Sequence, residues 1–324
     1  MSAETQSKGV PGSAAAVHAA GLEFAYKARA ALRGVDFEVG ASEIFGLLGP
    51  NGSGKTTLFR ILATLMQPSA GSARIFGRDV VREQGAVRES IGVVFQAASL
   101  DGKLSVIENL RHQAMLYGLS GKTLASRVAE MLERAGLADR AGERAEHLSG
   151  GLRRRAEIAK GLLHRPRLLL LDEPSVGLDP GARRDLWTQL SDLRAAHGMT
   201  ILVTTHLLDE AERCDRIAIM DAGKIVSIGA PSVLKETIGG DVVTIGAREP
   251  AALRDAVLAR WGGDPQVVDG TVRVEHAAAH AWVTELVAAF PGQIDSVTVA
   301  KPTLEDVYVH ETGHRFWDGA GAAR

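Results

Sequence analysis

The feature that most constrains this chain is a glycine-rich loop between an apolar run and a helix-forming run. Residues 49–57 read Gly-Pro-Asn-Gly-Ser-Gly-Lys-Thr-Thr, and the apolar run 44–48 precedes them. The spacing Gly-x4-Gly-Lys-Thr between a strand and a helix is the P-loop pattern. Its glycines let backbone amides curl around an anion, and the following helix adds unpaired N–H groups. The sequence therefore predicts an α/β fold of the P-loop NTPase type.

Two side chains of this loop add chemistry to its backbone. We expect Lys55 to bind the outer phosphates of a nucleotide and Thr56 to hold Mg²⁺ through its hydroxyl. The other loop residues are candidate nucleotide contacts: Gly49, Pro50, Asn51, Gly52, Ser53, Gly54 and Thr57. The alternative, a Gly/Ser-rich surface loop, requires the strand, the glycines and the Gly-Lys-Thr to coincide by chance.

Size, charge and cysteine content narrow the class of protein. A length of 324 residues favours about two domains. The formal net charge of −2 provides no overall attraction to nucleic acid or anionic lipid, so we expect no nucleic-acid partner. Cys214 is the single cysteine, which rules out an intrachain disulfide and favours the reducing cytosol.

Changes in pattern along the chain predict its domains. Residues 1–20 lack the basic start and apolar core of a signal peptide, and we expect a disordered lead-in. The nucleotide-binding domain is predicted at 21–230, with a helical subdomain at about 97–165. Residues 231–313 follow the order β-α-β-β-α-β, which predicts a small α+β, ferredoxin-like domain. Residues 314–324 are predicted to form a loose tail. No apolar run reaches the roughly 18–20 residues that span a bilayer, so any membrane spans belong to another chain.

A second apolar strand ends in two carboxylates. Asp172 and Glu173 follow the run Leu168 to Leu171, at the end of the strand where parallel α/β sheets bind ligands. Asp172 is suited to hold Mg²⁺, and Glu173 to polarise an attacking water. A strand ending in a solvated Asp-Glu turn is common, but the upstream P-loop makes that alternative improbable.

Three further residues stand at predicted strand ends. Tyr26 ends the first strand and has an aromatic face that can stack on a base, although a half-buried strand aromatic is equally compatible with its position. Gln96 ends the strand 91–95, and His206 follows the apolar strand 200–204. A lone histidine after a strand is usually an ordinary loop residue, but here it is the third strand end directed at one site.

The helical region contains a second predicted anion-binding helix start and a decoy. Ser149 is a helix cap, and Gly150-Gly151 leave backbone N–H groups open. In isolation this is a plain serine-capped helix. The segment 118–123 ends like a P-loop but follows no strand, so it predicts a turn between helices. The run Arg153-Arg154-Arg155 predicts a solvated helix face rather than a nucleic-acid patch.

Taken in chain order, these motifs resemble those of the nucleotide-binding subunits of ABC (ATP-binding cassette) transporters. The resemblance extends over about residues 22–229. Tyr26 matches the adenine-stacking aromatic, residues 49–57 the Walker A motif, Gln96 the Q-loop and Ser149-Gly150-Gly151 the signature. Asp172 matches Walker B, Glu173 the catalytic glutamate, 175–179 the D-loop ending in Asp179, and His206 the switch histidine. Leu152 departs from the family, which usually has Gln there.

The resemblance implies an ATPase that uses ATP and Mg²⁺. Its fold would be a RecA-like core with an antiparallel β subdomain and a helical subdomain. Two copies of the chain would face head to tail, each ATP lying between Lys55, Thr56 and Asp172 of one copy and Ser149 and Gly151 of the other. Gln96 would contact the metal and link the site to a separately encoded, multi-span permease. The chain would then be peripheral on the cytoplasmic face of the membrane.

The end of the chain resembles one branch of that family. Residues 301–308 read Lys-Pro-Thr-Leu-Glu-Asp-Val-Tyr, similar to the ending of daunorubicin-resistance exporter ATPases. A threonine-capped packing helix explains the same residues, and both interpretations can hold together. The resemblance implies drug or antibiotic export. The alternatives are lipid, polysaccharide or ion transport, import, and a soluble ATPase acting on ribosomes or DNA.

Overall fold

The computed structural model describes residues 15–316, which form two compact units. The first unit contains the described residues up to 46 together with 55–205, and the second contains 47–54 and the described residues from 206 onward. The loop at 49–54 therefore belongs to the second unit, whereas Lys55 begins a helix of the first.

The first unit combines two sheets with six helices. Its strands are β1 (Val17–Tyr26), β2 (Arg29–Val39), β3 (Ile44–Leu48, whose last two residues belong to the second unit), β4 (Ala70–Ile75), β5 (Arg78–Asp79), β6 (Ile91–Val94), β7 (Leu168–Asp172) and β8 (Thr200–Thr205). Its helices are α1 (Lys55–Leu62), α2 (Gln84–Ser90), α3 (Val106–Leu116), α4 (Gly121–Arg134), α5 (Gly150–Gly161) and α6 (Pro180–His197).

The two sheets of this unit differ because their strands are buried differently. The order β2-β1-β4-β5 forms an antiparallel sheet, in which β2 alternates buried and exposed residues over much of its length. The order β3-β8-β7-β6 includes two parallel pairs, and β7 and β8 are buried along their whole length. Uninterrupted apolar strands suit a parallel sheet covered on both faces. The segment 118–123 contains the turn between α3 and α4, as predicted.

The second unit contains a β-hairpin and a small α+β domain. Its elements are α7 (Leu208–Ala211), β9 (Arg216–Asp221), β10 (Lys224–Gly229), α8 (Pro231–Glu236), β11 (Asp241–Ala247), α9 (Pro250–Trp261), β12 (Gln266–Val268), β13 (Thr271–His276), α10 (Ala279–Ala289), β14 (Ile294–Ala300) and α11 (Leu304–Thr312). The domain has the predicted β-α-β-β-α-β order, and its sheet has the strand order β12-β13-β11-β14. Val243, Val272, Trp282 and Leu286 are among its buried core residues.

The structure corrects two expectations about the ends of the chain. The disordered lead-in was expected to extend to residue 20, and this boundary is wrong. Strand β1 begins at Val17, and Ala16 is fully buried. Residues 1–14 lie outside the described part. The loose tail was expected to begin at residue 314, and this boundary is also wrong. Phe316 is fully buried and packs against Tyr308. Residues 317–324 lie outside the described part. No helix within 15–316 has both the length and the apolar character needed to cross a membrane.

Candidate active site

The backbone of the loop between β3 and α1 is shaped by its glycines. A Cβ at Gly49 would lie 2.4 Å from the Met220 carbonyl oxygen and 2.6 Å from Ser53 Oγ. Gly52 and Gly54 have φ angles of +85° and +107°, which residues with a Cβ rarely adopt. The P-loop spacing therefore corresponds here to a tight backbone turn.

Ser53 lies inside this loop and has two backbone hydrogen bonds. Its N–H donates to the Pro50 carbonyl at 3.3 Å, and its carbonyl accepts from the Gly223 N–H at 3.0 Å. Its hydroxyl is buried and makes no hydrogen bond with any of residues 15–316. Buried hydroxyls normally have a partner, and a phosphate oxygen would accept from this one. The loop thus fits an anionic ligand.

Lys55 begins α1 and is almost completely buried. Its Nζ lies 3.8 Å from Glu173 Oε1. Burial lowers the pKa of Lys55, and the carboxylates of Glu173 and Asp172 oppose that change. Lys55 is thus a buried ammonium whose charge is stabilised by two neighbouring carboxylates.

The two carboxylates are joined through Thr204, a residue that the sequence analysis did not single out. The parallel register of β7 and β8 pairs Asp172 with Thr204. Thr204 Oγ1 donates to Asp172 Oδ1 at 2.6 Å and accepts from the Glu173 N–H at 2.9 Å. Burial raises the pKa of Asp172, and the hydrogen bond from Thr204 partly offsets this. In the sequence, Thr204 is marked only as a threonine near the end of an apolar strand.

Gln96 completes a group of four candidate residues in the first unit. It follows β6, and its Nε2 donates to Glu173 Oε2 at 3.4 Å. Glu173 thus has an ammonium and an amide on its two carboxylate oxygens. The structure brings Lys55, Gln96, Asp172 and Glu173 together.

The remaining loop and strand-end candidates occupy the following positions. Thr56 is half-buried and Thr57 buried, both within the first turn of α1. Pro50 is buried, whereas Asn51 is exposed. His206 is half-buried and directly follows β8, at the start of the second unit.

Tyr26 ends β1 with 45% of its surface exposed. Its ring packs edge-on against Phe24 at 4.9 Å, and its hydroxyl donates to Met66 Sδ at 3.6 Å. An aromatic ring held at its edge and left open elsewhere is suited to stack on a planar group.

The predicted signature forms the exposed start of α5. Ser149 caps this helix, its Oγ accepting from the Leu152 N–H at 3.4 Å. A Cβ at Gly151 would lie 2.9 Å from Ala182 Cβ, so a glycine lets this turn approach α6. Asp179 caps α6, its Oδ1 accepting from the Gly181 and Ala182 N–H groups at 2.9 Å each.

The arginine run after the signature is not the solvated face that its sequence predicts. Arg154 is buried, and its Nη1 donates to the Phe95 carbonyl at 2.8 Å and to Glu157 Oε2 at 2.9 Å. The expectation fails because consecutive helical residues lie about 100° apart, so one of the three faces the interior. Arg154 thereby holds the residue next to Gln96.

Comparison with known proteins places these features in one family. Residues 32–176 match the family model described as ABC transporter. The daunorubicin resistance ATP-binding protein DrrA3 of Streptomyces coeruleorubidus is 38% identical over 304 residues, covering 90% of this chain and 94% of that protein. The Nod factor export ATP-binding protein I of Burkholderia orbicola is 41% identical over 303 residues, covering 92% and 97%.

Solved structures agree with this assignment. The structure of cbiO1 from Clostridium perfringens, part of the ABC transporter complex cbiONQ, has a TM-score of 0.64 and 28% identity, covering 76% of this chain and 96% of that one. The ATP-binding cassette MJ0796, a dimeric post-hydrolysis structure bound to ADP and Pi, has a TM-score of 0.61 and 27% identity, covering 66% and 98%. The chain belongs to the ABC transporter family, as an ATP-binding subunit that hydrolyses ATP.

Proposed function

We propose that this chain drives export of a drug-like compound through a separate membrane subunit. The observation that carries this proposal is its similarity to daunorubicin resistance ATP-binding proteins over nearly their whole length, the C-terminal part included. Similarity to Nod factor export proteins supports a second candidate cargo and the same direction of transport.

We assign hydrolysis to the group around Glu173. Its carboxylate would polarise the attacking water, which has to approach in line with the leaving group. Lys55 lies 3.8 Å away and would balance charge on the outer phosphates. His206 would contact the γ-phosphate. Gln96 would link the site to the membrane subunit.

We assign Mg²⁺ to Thr56, Gln96 and Asp172. Mg²⁺ prefers oxygen ligands, usually one or two carboxylates with substrate phosphates and water. Asp172 offers such a carboxylate, held by Thr204. The ion would neutralise phosphate charge when bound.

We assign binding of the adenine base, and the contacts made by a second copy of the chain, to exposed groups. Tyr26 would stack on the adenine, and residues 49–57 would hold the phosphates. Ser149, Gly150 and Gly151 of a second copy would complete the site, with Asp179 beside them. The exposed, capped start of α5 supports this role, because unpaired N–H groups at a helix start attract phosphate.

An exposed apolar patch supports a membrane partner. Leu65, Met115, Leu116 and Tyr117 are all exposed to solvent. Leu65 and Tyr117 also line a cavity of about 240 Å³ together with Phe95, the residue before Gln96. Large exposed apolar side chains that cluster beside a cavity often mark an interaction surface. A permease segment bound there would contact the Gln96 loop.

Co-purification tests the proposal. The tagged chain is expected to be recovered from detergent-solubilised membranes with a polytopic protein, and Leu65→Ser/Leu116→Ser to reduce that recovery without changing ADP binding. Expression with that protein is expected to lower cellular accumulation of a fluorescent anthracycline. Recovery only with ribosomes or DNA would contradict the transporter role, and unchanged accumulation would contradict drug export.

A further inference from the structure

The last helix in the described part of the chain is anchored to the sheet of its domain at two points. Thr303 and Asp306 cap α11 reciprocally, and Asp306 also forms an ion pair with Arg273 of β13. His310 Nδ1 lies 3.0 Å from Glu275 Oε1 on the same strand. The helix is therefore fixed to the sheet of the C-terminal domain.

Tyr308 of this helix extends away from that sheet to the β9–β10 hairpin. Its side chain is fully buried, and its hydroxyl donates to Asp221 Oδ1 at 2.8 Å. His314 Nε2 lies 3.4 Å from the other oxygen, Oδ2. Phe316 packs edge-on against the Tyr308 ring at 5.0 Å. Both oxygens of the Asp221 carboxylate are thus contacted by the end of the chain.

Asp221 controls a turn that has little freedom of its own. It ends β9, pairs with Lys224 and is followed by Ala222 and Gly223, with φ angles of +44° and +82°. Two central residues with positive φ define the tight hairpin turn of the I′ type. In such a turn, the position of Asp221 fixes the direction of the Gly223 N–H.

The hairpin touches the P-loop at two points. The Met220 carbonyl oxygen occupies the space that a side chain at Gly49 would need. The Gly223 N–H donates to the Ser53 carbonyl at 3.0 Å. In a trans peptide the C=O and the following N–H point in opposite directions. Holding the Ser53 carbonyl towards the hairpin therefore directs the Gly54 N–H away from it, as an anion-binding loop requires.

We propose that Tyr308 is a positioning residue of the ATP site: it holds Asp221, which sets the β9–β10 turn and so the orientation of the Ser53–Gly54 peptide. The Tyr308 hydroxyl suits this role because burial and the nearby Asp221 carboxylate raise its pKa, so it remains a donor. The C-terminal domain thereby contributes to nucleotide affinity. The proposal rests on ATP binding by the P-loop and is independent of the cargo.

Removing one hydroxyl tests the connection. Tyr308→Phe keeps the ring packed against Phe316, and we expect it to raise the KM for ATP and the Kd for ADP about 10-fold. The kcat is expected to stay within about twofold, since a loss of uniform binding raises KM alone. All variants are measured as the full chain at one protein concentration. Lys301→Met, which removes an exposed contact to Asp241 in the same domain, is the matched control.

A double-mutant cycle shows whether the hydroxyl acts through Asp221. In an Asp221→Ala background, Tyr308→Phe should cause no further rise in the Kd for ADP. Asp221→Asn keeps an acceptor for the hydroxyl and should stay near wild type. An unchanged Kd in Tyr308→Phe, additive effects in the cycle, or equal losses in Asp221→Asn and Asp221→Ala would each overturn the proposal. ADP titration needs no membrane subunit, so failure here is distinct from failure of the exporter role.

Discussion

Glu173 has a backbone conformation that residues other than glycine rarely adopt. Its φ angle is +44°, a strain that costs on the order of 1–3 kcal/mol. Its N–H donates to both Oγ1 and the carbonyl oxygen of Thr204, at 2.9 and 3.1 Å, which offsets part of this cost. Strain of this kind persists where the surroundings fix a side chain, and here they hold the Glu173 carboxylate beside Lys55.

Substituting Glu173→Gln is the most direct test at this scale. The amide keeps the size and hydrogen-bonding capacity of the side chain but cannot polarise water, so turnover should fall at least about 100-fold. ATP binding should persist and trap an ATP-bound dimer. Phosphate release and sedimentation with ATP measure the two effects, with the exposed Glu89→Gln as control. Wild-type turnover would remove the catalytic role of Glu173.

At the scale of elements, α5 performs two tasks on different faces. Its start exposes the capped Ser149 turn, whereas Arg154 in its second turn is buried and ion-paired with Glu157. Burial lowers the pKa of Arg154, and the Glu157 and Asp172 carboxylates oppose the change. Glu157 also accepts from the Ser99 N–H at 2.8 Å. The helix thereby connects the signature turn with the segment that follows Gln96.

Arg154→Met should be strongly destabilising, because it removes the cation that is directly ion-paired with the buried Glu157 carboxylate. We expect the free energy of unfolding to fall by about 3–5 kcal/mol in urea denaturation. Adding Glu157→Gln, which keeps an acceptor for Ser99, should recover more than half of that loss. The neighbouring Arg153→Met should cost only about 1 kcal/mol. Equal costs for the two arginines would show that the ion pair does not matter.

At the scale of the whole molecule, the proposed site is incomplete in one copy of the chain. The turn assigned to the second nucleotide contact is exposed at Ser149 and Gly150, on the surface of the first unit. Within the second unit, Tyr308 of the C-terminal domain donates to Asp221 of the β9–β10 hairpin, and Gly223 of that hairpin donates to the Ser53 carbonyl of the P-loop. Changes at the Ser149 turn should therefore lower turnover, whereas changes at the contacts between the hairpin and the P-loop should weaken nucleotide binding.

Dilution separates binding from turnover. ATPase activity per chain should fall as the protein is diluted through the dimer dissociation range, while ADP binding per chain stays constant. Ser149→Arg should lower turnover at every concentration and leave ADP binding intact, because a bulky side chain blocks the facing site. Ser149→Ala controls for the lost cap, which costs about 1 kcal/mol. Constant activity per chain far below that range would contradict a two-copy site.

Local patterns were enough to predict the P-loop, the Asp172-Glu173 pair, the Ser149 cap and the β-α-β-β-α-β order. Each of these is written in a few neighbouring residues, because strand burial, helix capping and turn geometry depend on short-range chemistry. The family resemblance then assigned roles to Tyr26, Gln96 and His206, which their positions alone left open.

Contacts between distant segments could not be predicted in this way. The hydrogen bond from Thr204 to Asp172 depends on the register of two parallel strands, and the bond from Tyr308 to Asp221 joins residues 87 positions apart. The burial of Arg154 depends on which face of α5 meets the segment after β6. Strand register and helix rotation are decided by packing of the whole unit, which no short stretch of sequence contains.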